Sequence, residues 1–136
     1  MHCAENFSIL VVEDSDPIRD IICLILEEGG YHVESACNGK DGLELFTQKR
    51  FDMVFTDLKM PGMTGCEMAE KIKATNKHIP IVLVTAWAMD CAESELRNKG
   101  IDYIIQKPFQ DIQLLQLVRN EMETREIPMS LSFQTM

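Results

Sequence analysis

Four places in this 136-residue chain carry side chains that could act together: the acid pair Glu13-Asp14, the carboxylate Asp57, the hydroxyl of Thr85 and the ammonium of Lys107. Each closes a short apolar run: residues 9–12 (ILVV), 53–56 (MVFT), 81–84 (IVLV) and 103–105 (YII). Three carboxylates forced together repel, which raises the cost of ionising all of them. A hard divalent cation removes that cost. Mg²⁺ takes oxygen ligands and keeps several waters while binding one or two carboxylates together with phosphate oxygens. The metal neutralises an incoming phosphoryl group, Lys107 adds a point charge for a phosphate oxygen, and Thr85 offers a hydroxyl donor. The chemistry such a set supports is phosphoryl transfer onto a carboxylate, giving an aspartyl-phosphate.

The elements that must bring these groups together follow from hydrophobic periodicity. Short, wholly apolar runs bounded by turn residues read as strands buried on both faces. Residues 32–36 alternate instead, which suits an edge strand. Between the runs lie helical patterns. Asp16 and Pro17 suit an N-cap and first helical position, with Ile18, Ile21, Ile22 and Ile25 at helical spacing and Gly29-Gly30 as a stop. Asn38-Gly39 marks a turn before a short helix over about 40–49 that presents Leu43 and Phe46. A helix from about Thr64 presents Met68, Ala69 and Ile72, and one over about 110–126 presents Ile112, Leu115, Val118 and Met122. The segment 89–98 is helical in propensity but buries little beyond Leu96, so low local stability makes it a candidate for movement.

Five consecutive βα units imply a parallel sheet with right-handed crossovers and helices on both faces. All strand C-termini then meet at one edge, where open α/β sheets gather their chemistry. A single domain over 1–126 is expected, with 127–136 as a flexible tail.

Composition narrows the function classes. The net charge of −9 argues against direct nucleic-acid binding, which wants a basic face. The five cysteines are odd in number and include no C-x-x-C pair, so neither a disulfide framework nor a zinc site is expected. Reduced thiols point to the cytoplasm. The segment MHCAENFS has no basic n-region or apolar h-region, and no run is long enough to span a bilayer.

Taken singly, each motif has an ordinary explanation: a helix cap, a turn, a strand-end hydroxyl, a solvated loop. Their succession at the strand ends of one βα sheet is what makes coincidence a poor account. The stretches VVEDSDP (11–17), TDLKMPGMTG (56–65), VTA (84–86) and QKPF (106–109), with NG at 38–39, resemble the receiver domains of two-component response regulators over nearly the whole chain to about residue 126. The resemblance implies a flavodoxin-like (βα)5 fold of strand order 2-1-3-4-5.

It also implies that Asp57 is the phosphoacceptor and that Glu13, Asp14, Asp57 and the backbone carbonyl of Lys59 hold Mg²⁺. Thr85 and Lys107 would bind the transferred phosphoryl group. The donor it implies is a phosphohistidine on a sensor histidine kinase or histidine phosphotransfer protein, with small acyl phosphates as substitutes. Such a domain catalyses only its own phosphorylation and its slow dephosphorylation.

Two departures from the family pattern stand out. Position 13 is Glu where family members often have Asp. The switch position three before the lysine is Ile104 rather than Tyr or Phe, and Tyr103 beside it should face the other way. Lys59 and Trp87, two residues beyond Asp57 and Thr85, flank the phosphoryl site and could govern water access and phosphate lifetime.

A haloacid-dehalogenase-type phosphohydrolase wants a second acid two residues after the nucleophile, where this chain has Lys59. A receiver-like interaction module without phosphorylation would announce itself by a lost acid or lysine, and none is lost. A flavin site would need a hydroxyl- and Gly-rich phosphate loop after Val12. Output is expected through another molecule or a domain outside this chain, with the fourth helix, fifth strand and last helix as the face for a partner or a homodimer.

Overall fold

The computed structural model describes residues 6–86 and 93–126. Five strands, β1 (Ser8–Val12), β2 (His32–Ala36), β3 (Met53–Thr56), β4 (Ile81–Thr85) and β5 (Tyr103–Gln106), alternate with α1 (Asp16–Glu28), α2 (Gly39–Gln48), α3 (Gly65–Thr75), α4 (Glu93–Asn98) and α5 (Asp111–Glu126). All pairings are parallel and the order is β2-β1-β3-β4-β5. The three central strands are buried on both faces apart from Ser8, and β2, with its alternating pattern, lies at an edge.

Two apolar layers cover the sheet. One face packs Leu10, Val12, Val54 and Leu83 against Met68, Ala69 and Ile72 of α3 and Leu96 of α4. The other packs Ile9, Val11, Phe55 and Val84 against Ile22, Ile25 and Leu26 of α1 and Leu114, Val118 and Met122 of α5. Each fully buried side chain of this size stabilises the fold by roughly 1.5–3 kcal/mol. The layers therefore fix the sheet rim that carries the polar residues.

Two helix faces differ from the periodicity reading. Ile112 is 60% exposed, and Leu114 takes its place in the core with Val118 and Met122. Residues two positions apart on a helix point about 200° apart, so Ile112 cannot share the 114-118-122 strip. In α1, Ile21 is 51% exposed while Leu26 is fully buried. Residues 21–26 of that helix are apolar without a break, and packing against the sheet selects which of them go in.

Helix α1 also starts one residue early, with Ser15 rather than Asp16 as its N-cap. Asp16 instead pairs with Arg19 at 2.6 Å. Asn38, read as a turn residue, caps α2 by accepting from the Asp41 amide, and Thr64, just before α3, forms a reciprocal capping box with Glu67. Within α4, Leu96 is the buried residue; positions 89–92, expected to begin that helix, lie outside the described residues, as does the expected tail 127–136.

Candidate functional site

The site is assembled from the C-terminal ends of β1, β3, β4 and β5. The sheet ladder continues one step past β3, where the Asp57 amide donates to the Val12 carbonyl at 3.1 Å, and past β1, where the Glu13 amide donates to Ala36 at 3.1 Å. The acids are thus mounted on backbone that is still sheet. Leu58 and Met60, both buried, pin the loop that leaves Asp57.

Glu13, Asp14 and Asp57 each place a carboxylate oxygen within 4.8 Å of the others. Glu13 is 2% exposed, whereas Asp14 opens to solvent. Lys107 Nζ donates to Glu13 Oε1 at 3.0 Å and to Asp57 Oδ2 at 3.2 Å. Its backbone amide donates to the Thr85 carbonyl at 3.0 Å, which carries the end of β5 alongside the end of β4. Thr85 itself is fully buried. Lys59 has an exposed side chain two residues beyond Asp57, and Trp87 falls outside the described residues.

Several supports have no signature in residue type. The Leu58 amide donates to Asp57 Oδ1 at 2.7 Å, and Thr56 Oγ1 donates to the Asp57 carbonyl at 2.9 Å. The Ser15 amide donates to Glu13 Oε2 at 3.1 Å, while Arg19 Nη1 donates to the Glu13 carbonyl at 2.9 Å. Arg19 lies six residues from Glu13, about the reach of the first helical turns. Backbone-to-carboxylate contacts of the other kind depend on loop conformation and leave no trace in composition.

Electrostatics follow from this packing. Burial pushes the Glu13 carboxyl above its usual range, against the opposing pull of its hydrogen bond from Lys107. Burial also works to lower the Lys107 ammonium, but its bond to Glu13 and its attraction to Asp57 outweigh that and raise it. Lys107 is therefore held as a cation between two acids. The oxygen-only donor set, part buried and part open, suits a hard divalent ion that retains water.

On β5, Ile104 pairs with Leu83 and packs in its layer, the face that alternation also assigns to Thr85. Tyr103 lies on the opposite face with α1 and α5, and its hydroxyl donates to Glu121 Oε2 at 2.6 Å. Ile104 at the switch position and the neighbouring Tyr103 are thus separated by the sheet itself. An activation shift that swings Tyr103 to the Thr85 side would have to break the Glu121 bond and cross the core. Structures with and without phosphate that differ by such a swing would refute this.

A stability consequence follows from the same bond. Donation to Glu121 pushes the Tyr103 hydroxyl up to about 12 from 10.0. A group whose pKa is raised by folding contributes fully below its unfolded value and loses that contribution as pH climbs through the folded one. Tyr103→Phe is expected to lower unfolding stability by roughly 1.5 kcal/mol at neutral pH. Urea midpoints of the two proteins should converge between the values 10.0 and about 12; a gap independent of pH would rule the bond out as its source.

Three acids, a buried hydroxyl and a lysine gathered at the strand ends of a 2-1-3-4-5 parallel sheet are the arrangement of a receiver-type α/β domain. The chain belongs to the response regulator receiver domain family, whose model matches residues 9–119. It is 38% identical over 118 residues to the transcriptional regulatory protein ZraR of Klebsiella oxytoca, covering 86% of this chain and 26% of that protein. It is 32% identical over 104 residues to sporulation initiation phosphotransferase F of Bacillus subtilis (strain 168), covering 76% of this chain and 84% of that protein. The response regulator TrrA of Thermotoga maritima, solved in complex with Mg²⁺–BeF, superposes with a TM-score of 0.77 at 33% identity, covering 85% of this chain and 98% of that one. The chain thus spans about a quarter of the ZraR regulator's length but 84% of the sporulation phosphotransferase's. Among the described residues, no helix is long and apolar enough to cross a membrane.

Proposed function

We propose that Asp57 accepts a phosphoryl group from a phosphohistidine donor, with Glu13, Asp14 and Asp57 holding Mg²⁺ and the Lys59 carbonyl as a further ligand. The observation that carries this reading is Lys107 bridging Glu13 and Asp57 within the three-acid cluster. Asp57 Oδ1 is tied to the Leu58 backbone amide, whereas Oδ2 faces the flexible Lys107 ammonium that follows the phosphoryl oxygens, which makes Oδ2 the attacking oxygen. Its lone pair forms the new P–O bond as the bond from phosphorus to the donor nitrogen or acyl oxygen breaks, and the leaving group takes that electron pair. When bound, Mg²⁺ supplies the positive charge that lets an anion approach an anion. Lys107 follows the phosphoryl oxygens, and Thr85 contributes its hydroxyl. The chain carries no second acid at position 59 for turnover of outside substrates, so its chemistry is limited to its own phosphorylation and dephosphorylation.

The test is incubation with acetyl phosphate with and without Mg²⁺. A mass gain of one phosphoryl group, Mg²⁺-dependent and removed by hydroxylamine, is the expected result; no gain, or a gain indifferent to the metal, would sink the reading.

Donor docking has a natural place on α1, which begins immediately after Glu13-Asp14 and leaves Ile21 and Leu24 more than half exposed. Ile21→Glu is expected to slow transfer from a cognate phosphohistidine protein by about tenfold or more, in the range of an interface anchor. Phosphorylation by acetyl phosphate should be unchanged, because the small donor needs no docking face. Equal slowing with both donors would show damage to the site instead. For output or a second copy, the α4–β5–α5 face offers an open groove of about 440 Å³ lined by Arg97, Ile104 and Leu117 among others. A cytoplasmic setting and signalling through a separate partner or output domain complete the reading.

A further inference from the structure

We propose that Arg19 is a positioning residue of the acid cluster: it aims Asp14 by holding the peptide plane on which Asp14 is mounted. This rests on the phosphoacceptor reading and concerns how the acids of that site are held. The two acids of the pair are supported in opposite ways. Both oxygens of the Glu13 carboxylate are engaged, Oε1 by Lys107 and Oε2 by the Ser15 amide. Asp14 is exposed, and among the described residues nothing donates to its carboxylate. An oxygen of Asp14 nevertheless lies within 4.8 Å of those of Glu13 and Asp57. A short side chain with no partner of its own is placed by its backbone, so whatever fixes that backbone fixes the ligand.

That backbone is held at two points. The Glu13 amide donates to the Ala36 carbonyl at 3.1 Å, which anchors the chain as it leaves β1. The Glu13 carbonyl accepts from Arg19 Nη1 at 2.9 Å. This carbonyl and the Asp14 amide belong to one rigid plane, so the second hold sets the direction in which Asp14 leaves. Arg19 is itself fixed. Its Nη2 donates to Asp16 Oδ1 at 2.6 Å, its amide donates to the Ser15 carbonyl at 2.9 Å, and its side chain is 17% exposed. A planar guanidinium grips the carbonyl and Asp16 at once, whereas an ammonium on a flexible stem lacks that fork. Outer partners of this kind orient metal ligands, and losing one costs a site about 10- to 100-fold in affinity.

Titration calorimetry with Mg²⁺ on the intact chain tests this. Arg19→Gln should bind Mg²⁺ about tenfold more weakly than wild type. Charge alone predicts the opposite sign, because removing one cation near the acids favours the arrival of another. Arg19→Lys, which keeps the charge but not the fork, should also bind more weakly, by about threefold or more. Acetyl phosphate labelling of Arg19→Gln should need more Mg²⁺ for half its maximal rate yet reach the wild-type rate at saturating metal, a split that general damage to the fold does not produce. In NMR spectra of the metal-free protein, the Asp14 amide signal should shift in both variants while that of Asp57, bonded to Val12, stays in place. Binding by Arg19→Gln as tight as wild type or tighter, wild-type affinity in Arg19→Lys, a rate that saturating metal does not restore, or an unmoved Asp14 amide would overturn the proposal. Wild-type protein that binds no Mg²⁺ would overturn the phosphoacceptor reading beneath it, and the proposal with it.

Discussion

Asp57→Asn is expected to reduce phosphoryl incorporation from acetyl phosphate to background, a loss of at least about a thousandfold, as removal of a catalytic nucleophile does. The amide retains the size of the carboxylate, and its oxygen can still accept from the Leu58 amide as Oδ1 does at 2.7 Å. Folding is therefore expected to survive. What disappears is the anionic oxygen that Lys107 faces at 3.2 Å. Mg²⁺ affinity should fall as well, since one of three converging carboxylates is lost. Phosphopeptide mass spectrometry is the decisive measurement. Label retained in the variant at wild-type level would place the acceptor elsewhere, and Asp14, the exposed acid of the cluster, would be the next position to examine.

Gly65→Ala is the second large effect, and it acts through backbone. A Cβ at Gly65 would stand 2.1 Å from the Asp57 carbonyl oxygen and 3.3 Å from Leu58 Cα. Neither neighbour is the far end of a flexible side chain. The Gly65 amide also donates to the Leu58 carbonyl at 2.9 Å, which closes the loop from β3 to α3 onto itself. The added methyl must push the Asp57 peptide away from its place on the ladder, at a cost of about 3 kcal/mol, the upper part of the overpacking range. Because the displaced peptide carries the acceptor, phosphorylation should fall by more than the loss of folded protein explains.

Gly62 supplies the contrast. Nothing lies within 4 Å of its missing Cβ, and its need is conformational, with φ +81. Gly62→Ala should cost only about 1 kcal/mol. Urea unfolding and acetyl phosphate labelling of both variants check the pair. Equal costs at the two positions would show that the loop relaxes freely around residue 65.

The alternation of apolar runs and helical patterns determined the βα order, because burial on both faces of a parallel strand demands an uninterrupted apolar stretch. The same logic put every polar strand end on one rim, so the acids at 13, 14 and 57, the hydroxyl at 85 and the lysine at 107 could be named together from residue type and spacing. Edge placement of β2 was legible in its alternation, and the opposed faces of Tyr103 and Ile104 in their adjacency.

The tertiary structure decided what periodicity leaves degenerate. The unbroken apolar run 21–26 in α1 does not say which of its residues go inside until the sheet selects Ile22, Ile25 and Leu26 and leaves Ile21 outside. A long α5 carries apolar residues at several angles, and contact alone admits Leu114 over Ile112. The Ser15 amide on Glu13, the Leu58 amide on Asp57 and the close approach of Gly65 to the Asp57 carbonyl all arise from loop backbone. Chain conformation creates those contacts whatever the side chain beside them, so spacing can nominate the reacting groups while only the folded loops determine how they are held.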